Sequence, residues 1–209
     1  MPGTRVGNLA DSLPQGVLSI DVEATGLNRD GRDEILQLAA CDSEGRQFSR
    51  MYRPEHHLSW KAAERIHHIS PRDVYDKPRI TSAKSSQELS DLFRGAKMLV
   101  GWNIIADMQM IEAVGPMMED FPCNDVMYDY AYWMSSVTGQ PPRRCKLSEA
   151  AMAFGIRFSA HDASEDARVT MAIRKGLMQR GWIPTISSYD KLVAARASKE
   201  VPPKDRICM

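Results

Sequence analysis

The chain has 209 residues, and its 27 basic and 27 acidic side chains leave no formal net charge at pH 7. That balance argues against a protein that coats nucleic acid through bulk positive charge. A hydrophobic fraction of 43% and a charged fraction of 26% are typical of a globular protein. No apolar run reaches the roughly 18 residues that a membrane-spanning helix needs, so no membrane span is predicted.

The four cysteines show no CxxC pair or other zinc-binding spacing, so we expect reduced thiols and a cytoplasmic protein. Residues 1–16 lack the basic-then-apolar pattern of a signal peptide, and their glycines and prolines predict an irregular lead-in. The length predicts one domain, over residues 17–181, followed by a tail or short helix over residues 182–209.

The first part of the chain predicts a three-stranded antiparallel meander. Apolar and polar side chains alternate over residues 17–23, residues 34–41 form a nearly continuous apolar run, and residues 47–53 are amphipathic. Short turns join these three strands, as antiparallel neighbours allow.

Helical patterns dominate the rest of the chain. Ser85 and Glu88 have the spacing of a capping box, so we expect a helix that begins at Ser85 and ends at Gly95. Pro71 is expected to break the pattern after an earlier helix. The predicted helices cover residues 58–67, 85–94, 103–114, a segment ending near 137, and residues 146–154, 163–180 and 188–197; two further strands cover residues 97–101 and 125–128. This order predicts an α/β fold, with a mixed five-stranded sheet flanked by helices.

Two acids in the first strand are candidates for a metal site. Asp21 and Glu23 lie on one face of the strand, about 7 Å apart at roughly 3.3 Å per residue. Like charges at that distance repel each other unless a cation lies between them or one takes up a proton. Thr25 and Gly26 then end the strand in a tight loop, where the backbone can approach a ligand closely. The pattern indicates a metal site for phosphate chemistry, and the alternative is a solvated strand end with two surface acids.

A third acid lies in the predicted helix over residues 103–114. The helical spacing places Asp107 beside Asn103 and along the apolar row of that helix. A carboxylate at the edge of a buried row needs a partner, because its unpaired burial costs several kcal/mol. Asp107 therefore belongs either to the metal site or to an interface where backbone or a lysine holds it.

The last long helix offers a histidine and a fourth acid. Asp162 can cap this helix, which places His161 in the preceding loop and Asp166 in the first turns. A mobile histidine close to an acid on a fixed helix is a candidate proton acceptor beside a metal ligand. The alternative for His161 is an ordinary surface histidine, and helix capping and the helix dipole explain Asp162 and Glu165.

The histidine pairs at positions 56–57 and 67–68 do not predict a zinc site. Adjacent residues do not face a common point on a helix or a strand, and no cysteine lies near them at ligand spacing.

Four acids and a histidine converging on one point suit two hard divalent cations about 4 Å apart. At these residues the sequence resembles the DEDDh-type 3′–5′ exonucleases, the group that includes the epsilon subunit of the bacterial replicative polymerase. The first motif is similar to residues 21–27 (DVEATGL), the second to residues 99–107 (LVGWNIIAD) and the third to residues 161–167 (HDASEDA). Residues 66–70 also resemble the family's Ile-His-Gly-Ile-Thr region.

Three positions depart from the family's pattern. Trp102 stands where the family usually has histidine, Ala106 where a bulky aromatic residue commonly precedes the aspartate, and His68 where glycine is usual. None of them is one of the five principal groups, but all three bear on how the terminal nucleotide is shaped and held.

The resemblance implies a ribonuclease-H-like fold and hydrolysis by two Mg²⁺ or Mn²⁺ ions. Asp21, Glu23 and Asp166 would bind the ion that holds the attacking water, and Asp21 would also bind the ion near the leaving oxygen. Asp107 would support that second ion, and His161 would take the proton from the water. The product would be a 5′-nucleoside monophosphate.

The implied substrate is the 3′ end of single-stranded nucleic acid, with DNA favoured. The implied contacts to the terminal nucleotide come from Ala24, Thr25, Gly26, Leu27 and Asn103, with Leu27 as a wedge against the last base. The alternatives are an oligoribonuclease-like or RNA-trimming exonuclease, and a non-catalytic module that binds nucleic-acid ends or a partner protein. A polymerase or another protein is a candidate partner, and the sequence predicts no oligomeric state.

A charge-neutral chain can still be a nuclease if basic residues surround an acidic site. The candidates for such a rim are Arg143, Arg144, Lys146, Arg157 and Arg168. The alternative for each is an ordinary solvated surface charge.

Overall fold

This computed structural model describes residues 13–27, 31–115 and 121–197, the last three of them as backbone only. Most of the predicted lead-in over residues 1–16, and the part of the predicted tail beyond residue 197, lie outside the described residues. The division of the chain into lead-in, domain and tail stays a prediction.

A mixed six-stranded sheet forms the centre of the fold. The strands are β1 (Gly16–Ala24), β2 (Ile35–Asp42), β3 (Gln47–Met51), β4 (Ala96–Gly101), β5 (Pro122–Asp125) and β6 (Ser187–Ser188). They lie in the order β3-β2-β1-β4-β5-β6. β1, β4 and β5 run parallel, whereas β2, β3 and β6 pair antiparallel with their neighbours. The predicted meander and the mixed sheet are confirmed. The predicted number of five strands was wrong, because β6 is only two serines long and carries no apolar pattern.

The described residues form eight helices, on both faces of the sheet. They are α1 (Lys61–His67), α2 (Pro71–Val74), α3 (Ala83–Arg94), α4 (Ile105–Glu112), α5 (Val126–Thr138), α6 (Leu147–Ala153), α7 (Ala163–Gln179) and α8 (Tyr189–Ala197). α7 packs on one face, across β1 and β2. The short helix expected near residues 188–197 is present as α8. None of the described helices has the length and apolar character to cross a membrane.

The strands alternate their side chains between two apolar clusters, one on each face. Leu18 and Leu99 point into a cluster with α3, α4 and α8. Met98 and Val100 point the other way, against Val169 of α7. Each fully buried side chain of this kind contributes roughly 1.5–3 kcal/mol. The clusters therefore hold the central strands, and the acids that follow them, between helices on both faces.

One predicted boundary was wrong at α3, and the short helix α2 was not predicted. α3 begins at Ala83, two residues before the predicted start at Ser85, because the Ser82 side chain caps it and accepts a hydrogen bond from the Ser85 amide at 3.3 Å. Pro71 does not only interrupt a helix. It is the first residue of α2, where its missing N–H costs nothing.

Two further boundaries differ beside the polar edge of the sheet. α4 begins at Ile105 rather than Asn103, because Asn103 has a left-handed backbone (φ 67°) that a helix cannot contain. The strand predicted to start at Asp125 ends there instead, because the Asp125 carboxylate caps α5 and accepts a hydrogen bond from the Met127 amide at 3.1 Å.

Candidate active site

The carboxyl ends of the parallel strands β1, β4 and β5 meet at one edge of the sheet. Asp21 and Glu23 lie near the end of β1, Asn103 follows β4, and Asp125 ends β5. Parallel strands present their carboxyl ends at the same edge, so residues distant in sequence are brought close together there.

Asp107 reaches the same edge from α4. Its Oδ1 accepts a hydrogen bond from the amide of Val22, 85 positions earlier, at 3.2 Å. Val22 lies between Asp21 and Glu23, so this contact places the third acid beside the first two. The Asp107 side chain is buried. The backbone therefore does hold Asp107, as one of the two sequence interpretations expected, and it holds it within the acidic group.

Glu23, His161 and Asp166 form the tightest part of the site. One potential ligand atom from each lies within 4.8 Å of the other two, and no other group of this kind occurs in the described part of the chain. The His161 amide donates a hydrogen bond to Asp166 Oδ2 at 3.3 Å. Asp166 Oδ1 is buried and receives no hydrogen bond from any described residue. Because buried polar atoms are normally satisfied, this oxygen fits a site that is completed by a cation.

The electrostatics of the acids point the same way. Burial, with the charges of Asp107, Glu23 and Asp166, raises the pKa of Asp21 well above its usual range. Burial, with the charges of Asp166 and Asp162, raises the pKa of Glu23 to about 8. Burial raises the pKa of Asp166 to about 6, although the His161 amide works against that change. A raised pKa means that each of these acids holds its proton to a higher pH than usual, unless a cation replaces that proton.

Burial likewise raises the pKa of Asp107, even though the Val22 amide favours its charged form. The nearby charges of Glu23 and Asp125 act in the same direction as burial. All four predicted acids are therefore close enough for their charges to affect one another, and burial raises the pKa of each. Their catalytic roles stay predictions.

Two residues position the start of α7, and the sequence analysis missed one of them. The Asp162 carboxylate caps the helix and accepts a hydrogen bond from the Ser164 amide at 2.9 Å. Gln37 on β2 lies opposite Glu23, and its Oε1 accepts a hydrogen bond from the Ala163 amide at 3.3 Å. The sequence feature that could have identified Gln37 is its position as the one side-chain amide within the apolar run of residues 34–41, where it is buried.

Asp125 is a second residue that the sequence analysis missed. Its Oδ1 accepts a hydrogen bond from the Asn103 amide at 3.1 Å, which stabilises the left-handed turn after β4. Burial raises the pKa of Asp125 to about 7, although three backbone amides, including that of Asn103, work against this change. The available signal was an acid near the carboxyl end of a strand, as Asp21 and Glu23 are in β1.

The turn after β1 is held by its own hydrogen bonds. The Thr25 hydroxyl donates to Asp33 Oδ1 and accepts from the Glu34 amide, each at 2.9 Å. A Cβ atom at Gly26 would lie 2.5 Å from both Asp33 carboxylate oxygens, so a side chain at this position would displace the Asp33 carboxylate. Thr25 donates its only hydroxyl proton within the protein, so it can face a ligand only as an acceptor.

The remaining predicted substrate contacts lie on either side of that turn. The Ala24 carbonyl accepts a hydrogen bond from His67 Nε2 at 3.1 Å. Leu27 has 76% of its surface exposed, at the border of residues 28–30, which the structure does not describe. The contacts of Ala24, Thr25, Gly26, Leu27 and Asn103 with a nucleotide stay predictions.

The histidine pairs serve the turn and its surroundings. His67 donates through Nε2 and accepts a hydrogen bond from the Ile69 amide at Nδ1, an arrangement that requires a neutral ring. Burial lowers the pKa of His67, which favours the same state. His68 has a left-handed backbone (φ 62°) at the end of α1, the conformation for which glycine is the usual residue. The His57 ring contacts Glu34 Oε2 at 2.8 Å.

Comparison with known proteins agrees with this geometry. The family model of RNase T-type exonucleases matches residues 18–174. Among curated proteins, no sequence matches the chain. The structure of cell-death related nuclease 4 (CRN-4) is 16% identical, with a TM-score of 0.63 over 84% of this chain and 68% of that chain. The nuclease domain of 3′hExo, a DEDDh family member bound to rAMP, is 14% identical, with a TM-score of 0.62 over 82% of this chain and 96% of that chain.

The E. coli ExoI–ssDNA complex in its zinc-bound form is 20% identical, with a TM-score of 0.61 over 79% of this chain. This chain covers only 41% of the ExoI chain, so it spans less than half of that protein. At these identities the structural likeness establishes the fold, and the family model covers most of the chain. The chain therefore belongs to the exonuclease family, with the ribonuclease-H-like fold of the DEDDh-type members.

Proposed function

We propose that this chain is a divalent-metal-dependent 3′–5′ exonuclease that releases 5′-nucleoside monophosphates from single-stranded nucleic acid, with DNA favoured. The observation that carries the proposal is the meeting of Glu23, His161 and Asp166 within 4.8 Å, beside Asp21 and Asp107. Membership in the exonuclease family supports it. So do the DNA-bound states of two similar structures, ExoI with ssDNA and exonuclease X with a 5′-overhanging duplex.

The donor set suits Mg²⁺ or Mn²⁺, because it consists of carboxylate oxygens, which hard cations prefer. Glu23 and Asp166 would hold one ion, Asp21 would contact both ions of a pair, and Asp107 would support the second. When bound, the two ions would make a bound water more acidic and stabilise the negative charge that develops on the phosphate. The buried Asp166 Oδ1 that lacks a hydrogen bond fits this assignment.

His161 is the proposed proton acceptor. It is exposed and lies just before α7. The hydrogen bond from its backbone amide to the Asp166 carboxylate keeps it beside the acids. Its ring can therefore take a proton from an attacking water and release it to solvent. The left-handed backbone of His161 (φ 68°) is uncommon for a residue other than glycine, and such strain is often found at functional sites.

The end of β1 is the proposed contact for the terminal nucleotide. The exposed Leu27 would pack against the last base, and the turn formed by Thr25 and Gly26 would bring backbone close to the last sugar. A single strand suits such a site, because a paired end must first separate.

The free thiols of Cys41, Cys123 and Cys145 support a cytoplasmic location. A polymerase stays a candidate partner.

A 5′-labelled single strand incubated with the protein and Mg²⁺ tests the proposal. We expect a ladder of products shortened from the 3′ end, together with 5′-nucleoside monophosphates. An intact strand with a shifted band would instead indicate a non-catalytic binding module. Chelation by EDTA should stop the reaction, and its persistence under chelation would exclude the metal-dependent mechanism.

A second candidate function is RNA trimming, which the rAMP-bound state of 3′hExo favours. Matched DNA and RNA strands of the same sequence separate the two substrates, because the choice depends on how the site treats the 2′-hydroxyl. Faster shortening of the DNA strand is expected. Faster shortening of the RNA strand would favour the RNA-trimming function.

A further inference from the structure

The basic loop between α5 and α6 is attached to the catalytic edge of the sheet. Trp102, which follows β4, donates its indole N–H to the carbonyl of Cys145 in this loop, at 3.2 Å. The Arg144 guanidinium lies over the ring of Tyr128, 5.7 Å from its centroid. Tyr128 belongs to the first turn of α5. The loop is therefore held by the turn after β4 and by α5, which both begin at the polar edge of the sheet.

These two anchors are linked to the acidic site through neighbouring residues. Asn103 follows Trp102, and its amide donates a hydrogen bond to Asp125, three residues before Tyr128. The Asp125 charge in turn acts on Asp107. The path from the basic loop to the acids thus passes through adjacent residues, two hydrogen bonds and the charge interaction between Asp125 and Asp107.

Two cations of the loop are exposed and available to an anion. Across the part of the chain that the structure describes, no carboxylate lies within 4.0 Å of the charged groups of Arg144 or Lys146. Arg143, in the same loop, differs because it contacts Glu149 Oε2 at 3.4 Å. Arg168 of α7 is likewise paired with Glu165, at 2.8 Å. The contact with Tyr128 also restricts Arg144, which lowers the entropy lost when it binds a ligand.

We propose that Arg144 and Lys146 bind the backbone phosphates of the single strand on the 5′ side of the scissile bond, and that Trp102 is the positioning residue that holds their loop. The inference rests on the proposed function and names the surface that retains the substrate. Guanidinium and ammonium groups suit phosphate oxygens, and contacts of this kind supply affinity without sequence preference. Trp102, which stands where the family usually has histidine, would then have the role of holding this loop.

Binding of a 5′-fluorescent DNA strand of about ten nucleotides, measured by anisotropy with Ca²⁺ in place of Mg²⁺, tests the surface. Arg144→Ala and Lys146→Ala should each weaken binding about fivefold at low salt. Each should also reduce the slope of log affinity against log salt by about 0.7, the value for one phosphate contact on a single strand. Arg143→Ala is the matched control, because it removes the same charge from the same loop, and it should change affinity less than about twofold.

Trp102→Phe tests the positioning role, because it keeps an aromatic ring and removes the N–H that holds Cys145. We expect weaker binding, and no further loss when Trp102→Phe is added to the double variant Arg144→Ala/Lys146→Ala. Additive losses would remove Trp102 from this role. Thermal melting of each variant shows whether the fold is retained.

Failure of this inference can be told from failure of the proposed function. If the unmodified chain shortens strands while Arg144→Ala and Arg143→Ala bind alike with equal salt slopes, the surface is wrong and the exonuclease stands. If the unmodified chain neither binds nor shortens strands, both proposals fail.

Discussion

Buried carboxylates on the β1–β2 pair have two opposite kinds of surroundings. Asp42, at the end of β2, is fully buried and accepts hydrogen bonds from the amides of Gln15, Glu44 and Arg46, at 3.1, 2.8 and 2.9 Å. The Arg46 guanidinium adds an ion pair at 2.6 Å. Burial opposes its charge, but these donors outweigh burial and lower the pKa of Asp42. Toward the other end of β1, Asp21 stands among acids, and its pKa is raised instead.

The difference shows that this fold can satisfy a buried carboxylate completely where the carboxylate supports structure. At the acidic edge the four acids are not satisfied in this way. Among the described residues, no arginine or lysine forms an ion pair with them, and Asp166 Oδ1 receives no hydrogen bond. The repulsion of such a group is a cost that a bound cation removes. The comparison therefore supports a structural role for Asp42 and the proposed cation-binding role for the edge.

The largest expected effect is the loss of activity in Asp21→Asn. We expect strand shortening to slow by about a thousandfold or more, because a shared ligand of both ions is lost. The metal-free protein should melt at the same or a higher temperature, since one repelling charge is gone. A gel assay and calorimetry measure the two effects. Retained activity in this variant would separate Asp21 from the reaction.

His161→Asn should lower kcat by about 10²–10⁴-fold, the usual contribution of a general base. Asparagine tolerates the left-handed backbone of this position, so the loop is preserved. His68→Asn is the matched control, because His68 has a similar left-handed backbone and lies outside the acidic group. The rate of His161→Asn should also lose its dependence on pH between about 6 and 9. A pH profile like that of the unmodified protein would exclude His161 as the base.

Asp42→Asn should lower the stability of the fold and leave activity unchanged, the opposite of Asp21→Asn. It leaves a buried cluster of donors short of a charged acceptor, so the free energy of unfolding should fall by about 1–3 kcal/mol. Urea unfolding measures the loss, and activity per folded molecule should stay unchanged. A loss of activity with normal stability would place Asp42 in the site and break the comparison.

The pH dependence of stability should separate the two groups. Glu23 has its pKa raised from 4.5 to about 8 in the folded state, so the unfolded chain loses this proton first as pH rises. The metal-free protein should therefore lose stability from about pH 5 to pH 8, and Mg²⁺ should reduce that loss. Asp42 acts oppositely: its lowered pKa stabilises the fold above the ordinary value of 3.8, and this contribution disappears as pH falls below that value. Melting temperatures in EDTA and in Mg²⁺ test both directions.

The smallest expected effect is that of Gln37→Met, which removes the acceptor for the Ala163 amide while keeping the side chain's volume. α7 should shift slightly relative to Glu23, so the Mg²⁺ concentration for half-maximal rate should rise by about threefold to tenfold, with a modest loss of stability. Ser49→Ala is the control, because it removes the other partner of the Gln37 amide, at 3.3 Å. An equal Mg²⁺ dependence in the two variants would deny Gln37 a positioning role.

The sequence predicted the parts of the site that local pattern and family resemblance mark. Asp21 and Glu23 were visible because they share one face of a strand, and Asp162 because it has a capping position. The sequence could not predict contacts that depend on pairing between distant segments, such as the bond from Val22 to Asp107 or that from Ala163 to Gln37. These contacts follow from the strand register and the packing of α4 and α7, which no local pattern encodes.

Boundaries and short elements failed for a related reason. The start of α4 depends on the left-handed backbone of Asn103, which the distant Asp125 stabilises. β6 consists of two serines whose pairing with β5 is the only evidence of a strand. Apolar periodicity reports burial on one face, and neither feature depends on it.

Calorimetric titration with Mn²⁺ tests the central claim, that the acidic edge is a cation site, most directly. The unmodified chain and Asp42→Asn should bind Mn²⁺ with similar affinity, whereas Asp21→Asn should bind it at least about tenfold more weakly. Equal binding by all three proteins, or no binding by the unmodified chain, would contradict the account.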